Sequence, residues 1–378
     1  MTRRKIGIIF NFSAHWTGGV NYIINIINTL SFLDDEEKPE IIVFYNFELE
    51  QYINEIKFPY IRFIEWKFPS VLIGTMISLV LRRNVFIHRI LKEHTLDALF
   101  PLHDLPVKTR TKTTLLTWWA DLQHKHYPAF FTRAQILGRE VRIVFSLHNA
   151  DALIVSSYDV LNDFKKYYEI NPVLKTHVYR FVSILNEDNN LQITDLRVKY
   201  GLPEKYFMVS NQFHKHKNHR IVLQALVCLK EVGIKDFIVF TGGFPKDDKS
   251  EYLMELRNII NDNDLQDQIL FLGVIPRSHQ IAIMANSQAV IQPSLFEGWS
   301  TVIEDAISLQ VPVIASDLKV NVEQLNDKGI YFDPGDSAAL ALVIRDFPCR
   351  RFDRKIYEDH SVRTAKAATE LIKILNNQ

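Results

Sequence analysis

Ser294 to Asp317 reads SLFEGWSTVIEDAISLQVPVIASD. It is patterned as the end of a strand, a short loop, a helix and a second strand. Pro293 closes the first strand, and Gly298 allows the backbone to approach a ligand. Thr301 with Glu304 three residues on has the form of a capping box, and Val302, Ile303, Ala306 and Leu309 follow as the buried stripe of a helix. A helix N-terminus presents unpaired N–H groups to anions, so the amides of Trp299, Ser300 and Thr301 are placed to cradle a diphosphate. Glu297 in the loop and Asp305 in the helix would then accept hydrogen bonds from hydroxyls, as a polyol or ribose requires. The plainer reading stays open: Glu304 as a cap and Asp305 as a partner of the helix dipole.

Outward from this stretch the same alternation repeats. Upstream run the strand YFMVSNQ, the helix NHRIVLQALVCLKEVG, the strand DFIVFTGG, a helix from about Ser250 to Asn261, the strand QILFLG, the helix SHQIAIMANS and the strand AVIQPS. The first half shows it too, with apolar runs at Lys5–Asn11, Ile41–Tyr45, Leu96–Pro101, Thr113–Trp118 and Ala152–Ser156. Val71–His94 reads as mostly helical, and a final helix as roughly Ser361–Asn376. The polar stretch Asn186–Pro203 is the linker candidate. Alternating strands and helices predict an α/β chain of two doubly wound parallel sheets, with ligands outside the carboxyl ends of the strands.

Composition narrows the function classes. The 378 residues are 47% hydrophobic and 23% charged, and 44 basic residues cancel 44 acidic ones. That balance argues against a dedicated nucleic-acid binder but leaves room for a local basic patch on a membrane-facing surface. The two cysteines, Cys228 and Cys349, form no metal or redox motif, and Cys228 falls in an apolar helical run. The longest apolar run, Val71–Leu81, has 11 residues, short of a membrane span. The chain reads as cytosolic and at most peripheral to a membrane.

Two further stretches carry chemistry. SNQFHKHKNH, Ser210 to His219, joins a strand to a helix with Asn218 at its start. His214, His216 and His219 invite a metal reading, but the interspersed lysines repel a cation and no carboxylate or cysteine completes a set. A phosphate clamp centred on lysine fits better, with a solvated basic turn as the alternative. Near the N-terminus Gly18 and Gly19 lie between the first strand and its helix, without a Gly-x-Gly-x-x-Gly dinucleotide fingerprint. They read equally as an ordinary helix-start turn.

FEGWSTVIEDAISLQVPVIASD resembles the C-terminal signature of the retaining glycosyltransferases of family 4, which have the GT-B fold. The resemblance extends over most of the C-terminal half and includes FLGVIP and VSNQFHKHKNH. It implies two Rossmann-like domains facing across a cleft, at 1–190 and 191–355, with a C-terminal helix at 356–378 crossing back to the first. The family's first signature glutamate falls on Glu297. Its second falls on Asp305, a residue one methylene shorter, with Glu304 adjacent. Lys217 matches the family lysine that holds the donor diphosphate, while the arginine six residues earlier is replaced by Asn211, leaving His214 or Lys215 to compensate. The Gly18-Gly19 loop would face the donor phosphates and the acceptor, and the base would lie near Val274 and Ile275. WWADLQHKHYPAFF resembles a family segment with a His-Asp pair. Asp121 and Pro128 match, but Ala120 stands where the family has histidine, and His124 is the candidate substitute; a packed histidine is the alternative.

The resemblance implies a hexosyl transferase needing no metal or cofactor. Its donor would be a nucleotide diphosphate sugar and its acceptor a glycan or a lipid-linked glycan in surface polysaccharide synthesis. The inner face of a membrane is a place such an acceptor would require. A contact from Val71–Leu81 followed by Arg82 and Arg83 would suit it, as would a buried helix at that position. Three rivals stay in view. A nicotinamide dehydrogenase lacks its fingerprint here. A sugar-nucleotide epimerase is disfavoured by the EGWS stretch. A non-catalytic partner of another transferase is kept in view by the departures at Ala120 and Asp305.

Overall fold

The computed structural model describes residues 3–14, 16–185, 191–244, 250–347 and 355–376. The first five residues of the proposed linker and Cys349 lie outside them. The chain divides into two compact units, residues 1–184 with 361–378, and residues 185–360.

The first unit is built on β1 (Lys5–Phe10), β2 (Glu40–Tyr45), β3 (Ile61–Glu65), β4 (Ala98–Leu102), β5 (Thr114–Trp119), β6 (Ala152–Val155) and β7 (Lys175–Val178). All pair in parallel in the order β3-β2-β1-β4-β5-β6-β7. The second is built on β8 (Phe207–Ser210), β9 (Ile238–Thr241), β10 (Ile269–Phe271), β11 (Val290–Gln292), β12 (Val313–Ser316) and β13 (Ile330–Phe332), in the order β10-β9-β8-β11-β12-β13. In each sheet the winding starts at a central strand, runs to one edge and then restarts on its other side. The reversals lie between β1 and β4 and between β8 and β11. These are the switch points where a doubly wound sheet opens a crevice at its carboxyl edge.

Both faces of the second sheet are covered, which explains why its strands are continuous apolar runs. Side chains alternate across a strand. Phe207 and Val209 enter a core shared with Phe240, Ile291 and Ile314, while Met208 enters another with Val239, Val290 and Val313. Half-buried Cys228 packs on the first of these cores. The helix His360–Leu375 belongs to the first unit and buries Ala367, Ala368, Leu371, Ile374 and Leu375.

Several local expectations are corrected. Val71–His94 is mostly helical, as expected, but in two helices, Val71–Leu81 and His88–Glu93, broken where Arg82 turns left-handed at φ 48°. The linker candidate contains a helix, Ile193–Tyr200, which buries only Leu196 and so gave little periodic signal. β3, β7 and β13 lie outside the apolar runs read as strands, and a helix, Ser337–Asp346, follows β13. Among the described residues no helix is long and apolar enough to cross a membrane.

Candidate functional site

The loops after β8 and β11 meet at the second unit's switch point. Their backbones are tied directly, the Leu295 N–H donating to the His216 carbonyl at 2.7 Å. The β8 loop tightens into a 3-10 turn at Lys215–Lys217 before the helix His219–Glu231. Asn218 stands at that helix start in the left-handed region, φ 55°. It gives no side-chain cap, donating instead to the Pro334 carbonyl at 3.0 Å. An asparagine tolerates this conformation as few residues do.

This turn aims Lys217 at Glu297. The Lys217 ammonium lies 2.6 Å from Glu297 Oε1, and the Glu297 side chain is only 8% exposed. Ser294 Oγ and Gln292 Nε2 donate to the same oxygen at 2.7 and 2.8 Å. Oε2 takes none of these three bonds. Burial by itself would raise the Glu297 pKa. The Lys217 charge, the hydrogen bonds from Lys217 and Ser294, and His216 outweigh it and hold the carboxyl below its ordinary range. The group is a fixed anion with one oxygen saturated.

Asn211 is buried and donates to Gln292 Oε1 at 3.0 Å, so it sets the amide that in turn orients Glu297. It supplies no charge. His214 does not replace one either, because burial and then the Lys217 charge lower its pKa; Lys215 is exposed on the same turn. His219 is fully buried, stacked on Phe213 with ring centroids 4.1 Å apart, and burial pushes it down to about 3. Among the described residues no group of three or more His, Cys, Asp or Glu side chains could hold a metal ion.

Beside Asn211 the chain after β9 passes through Gly242 at φ +109°. A Cβ there would sit 2.4 Å from the Asn211 carbonyl oxygen, so only glycine lets the two loops close. The Gly242 N–H donates to Gly273 O at 2.9 Å, which draws in the β10 loop. Val274 is 87% exposed at its tip, and Ile275 packs against the core below.

The helix after Glu297 spans Thr301–Ser308. Its cap is Ser300, not Thr301: Ser300 Oγ accepts from the Ile303 N–H at 3.2 Å. Glu304 does not close a capping box, because it lies one position too far along. Its carboxylate accepts from Gln324 Nε2 at 2.8 Å, and Gln324 also brackets both backbone groups of Ser300. The Ser300 amide is therefore engaged. Thr301 and Val302 head the helix, in positions whose N–H groups have no partner within an α-helix. Gly298 is buried and Trp299 half-buried in the preceding loop. Asp305 is 1% exposed and pairs with Arg277 at 2.5 Å. Arg277 also donates to Gln280, which reaches Ser210 at the end of β8.

In the first unit Gly18 and Gly19 are part of a helix, Thr17–Thr29, and not of the loop before it. A Cβ on Gly19 would fall 2.5 Å from the Trp16 ring, so the glycine makes room for that indole. Asp121 accepts from the Gln123 N–H at 2.9 Å and from Arg139 at 3.2 Å. His124 is buried, its Nε2 2.9 Å from Glu140 Oε1, with Tyr168 and Phe131 against it. Burial first and Arg139 second lower its pKa, the Glu140 carboxylate opposing them. This is an interior place, suited to positioning the segment around Asp121. The imidazole at this unit's switch point is His103, directly after β4. Its ring packs against Phe12, Trp118 and Trp119, and burial with the Arg142 charge pushes it down to about 3.

Residues 192–353 match the family model described as glycosyl transferases group 1. The match lies in the second unit and spans less than half of the chain. The O-antigen chain mannosyltransferase RfbU of Salmonella typhimurium is 22% identical over 228 residues, 60% of this chain and 58% of that protein. The N-acetyl-alpha-D-glucosaminyl L-malate synthase of Bacillus anthracis is 22% identical over 290 residues, 68% of this chain and 73% of that protein. A solved structure of Anabaena Alr3699/HepE in complex with UDP superimposes over 99% of this chain and 98% of its own, with TM-score 0.61 and 17% identity. The fold is thus GT-B, with the group 1 match placed on the unit that holds Lys217 and Glu297.

The structure adds Gln292, Ser294, Arg277, Gln324 and His103 to the residues singled out in the sequence. Gln292 left a signal: it is the one polar residue inside the buried strand Val290–Gln292. Arg277 left none, since an arginine opening a helix looks like any solvated charge.

Proposed function

We propose that the chain is a retaining, metal-independent glycosyltransferase of family 4. It moves a hexose-type sugar from a nucleotide diphosphate sugar to a glycan or lipid-linked acceptor in surface polysaccharide synthesis. The observation that carries the reading is the Lys217–Glu297 pair, held at a switch point just ahead of a helix N-terminus. In this reading Lys217 and the Thr301 and Val302 amides meet the charge that grows on the leaving diphosphate. Glu297, with Oε1 saturated, offers Oε2 to a sugar hydroxyl. Asp305 and Arg277 lie on the ribose side, and Val274 and Ile275 flank the base. The C1–O bond to the diphosphate breaks, a bond from an acceptor hydroxyl forms, and the hydroxyl proton leaves with the diphosphate. No cofactor takes part. The names of RfbU and the HepE–UDP complex support an acceptor in surface glycan and a nucleotide in this crevice. The expected location is cytoplasmic, at the inner face of a membrane.

A second reading, a non-catalytic GT-B partner, is favoured by Ala120 and by the engagement of Asp305 with Arg277. Thermal melting with a panel of nucleoside diphosphates and nucleotide sugars separates the two. A ligand at about 100 times its Kd stabilises the native state by about 2.7 kcal/mol. Stabilisation by one nucleotide series, lost in Lys217→Ala and in Glu297→Gln, is the expected result, followed by transfer of labelled sugar to extracted glycolipid. Melting curves that no nucleotide moves would favour the partner subunit.

A further inference from the structure

The helix Val71–Leu81, VLIGTMISLVL, is turned inside out relative to the other helices. It buries only Gly74 and Ser78. Gly74 sits against Phe86, where a Cβ would fall 2.5 Å from the ring. Ser78 Oγ donates to the Gly74 carbonyl at 2.7 Å and accepts from the Val85 N–H at 3.1 Å. The two smallest side chains thus face the unit. Leu72, Met76 and Val80 follow one another at i, i+4 and i+8 along the opposite ridge. Leu72 is 74% exposed and Val80 82%, and Val71, Ile73, Met76, Ile77, Leu79 and Leu81 are exposed beside them. An all-apolar helix is ordinarily a buried one, and an apolar patch this dense marks an interaction surface.

The charges nearest its two ends are basic. Residues 66–92 contain Lys67, Arg82, Arg83, Arg89 and Lys92 and no Asp or Glu, with Glu65 and Glu93 just outside and Arg89 paired to Glu93 at 2.7 Å, in a chain whose charges cancel overall. Lys67 lies exposed before the helix, and Arg82 and Arg83 lie exposed after it. A second copy of the chain packed on this ridge would set these cations against their own kind. An anionic bilayer meets both demands, with acyl chains for the ridge and headgroups for its ends.

We propose that the helix Val71–Leu81 lies in the plane of an anionic membrane surface. Its Leu72, Met76 and Val80 ridge enters the acyl boundary, and Lys67, Arg82 and Arg83 stand at the headgroups. The surface is independent of the catalytic reading; that it brings the first unit to a lipid-linked acceptor rests on that reading.

Flotation of the purified full chain with vesicles tests it, using phosphatidylcholine alone and phosphatidylcholine mixed with phosphatidylglycerol. Binding to the mixed vesicles, weaker at high salt and on the neutral ones, is expected. Leu72→Glu with Val80→Glu, both on the exposed ridge, should weaken it on the order of a hundredfold without lowering the melting temperature. Arg82→Ser and Arg83→Ser should weaken it about fivefold each. Absence of flotation, or equal flotation of the Leu72/Val80 variant, overturns the proposal. A lipid-free dimer that this variant splits, with no flotation, overturns it in favour of a second copy. Flotation reads no sugar transfer, so its failure and a failure of the transferase reading are separately visible.

Discussion

The two switch points share a topology and differ in chemistry. After β8 and β11 the second unit gathers Asn211, Lys217, Gln292, Ser294 and Glu297 into one hydrogen-bonded chain around a fixed ion pair. After β1 and β4 the first unit gathers the rings of Phe12, Trp16 and His103 against Trp118 at the end of β5, with Trp118 in turn stacked on Tyr22 at 3.8 Å. A diphosphate calls for oriented charge. An aromatic wall offers flat apolar area, which suits the carbon-bound face of a pyranose ring. The winding supplies the crevice in both units, and the side chains at its rim decide what each can hold.

The comparison breaks most visibly at Lys217. If the chain transfers sugar as proposed, replacing it with methionine should lower that transfer by about 10²–10³-fold, the cost of removing one stabilising donor. It also leaves a largely buried carboxylate without its cation, which should cost about 3 kcal/mol in denaturant unfolding. Glu297→Gln in the same background should recover much of the stability and none of the activity. If Lys217→Met alone unfolds like the parent, the ion pair is not what fixes this rim.

A second test sets the buried imidazole of the charged unit against solvent. His219 in the fold is pushed down to about 3 from an ordinary 6.5. Between those values the unfolded chain binds the proton that the folded one refuses. Stability therefore falls as pH drops below about 6.5, by up to about 1.4 kcal/mol per pH unit. His219→Gln should flatten this slope when the unfolding free energy is followed from neutral to mildly acidic pH. An unchanged slope would show that His219 takes up its proton within the fold.

The smallest effect should come from the aromatic rim. Trp16 is 40% exposed over Trp118. If this wall receives the acceptor, Trp16→Ala should raise the acceptor KM about fivefold, in line with about 1 kcal/mol for a ring contact, and leave nucleotide affinity unchanged. Equal losses for donor and acceptor would make the cluster plain packing.

Much of this was legible in the sequence, and the omissions have a common cause. The central strands are buried on both faces and announce themselves as apolar runs. β3, β7 and β13 lie at sheet edges, and β3 and β7 bury none of their residues fully, so no such run exists to be read. At the site the ionic groups stood out, since Lys217 and Glu297 lie in loops between strong elements. The neutral groups that aim them stood out less, Asn211 only through the resemblance and Gln292 only as the polar residue of a buried strand. Gln324, which brackets Ser300, comes from a helix 24 residues further on, and its role depends on a packing that no local pattern encodes.

The bond from the Leu295 N–H to the His216 carbonyl makes a practical demand on anyone re-engineering this rim. It fastens the two loops into one mechanical part, although 80 residues separate Lys217 from Glu297. Grafting residues 294–300 from a relative with a different donor would import half of that part and leave its register with the other half to chance. The transferable unit is the pair of loops, moved together.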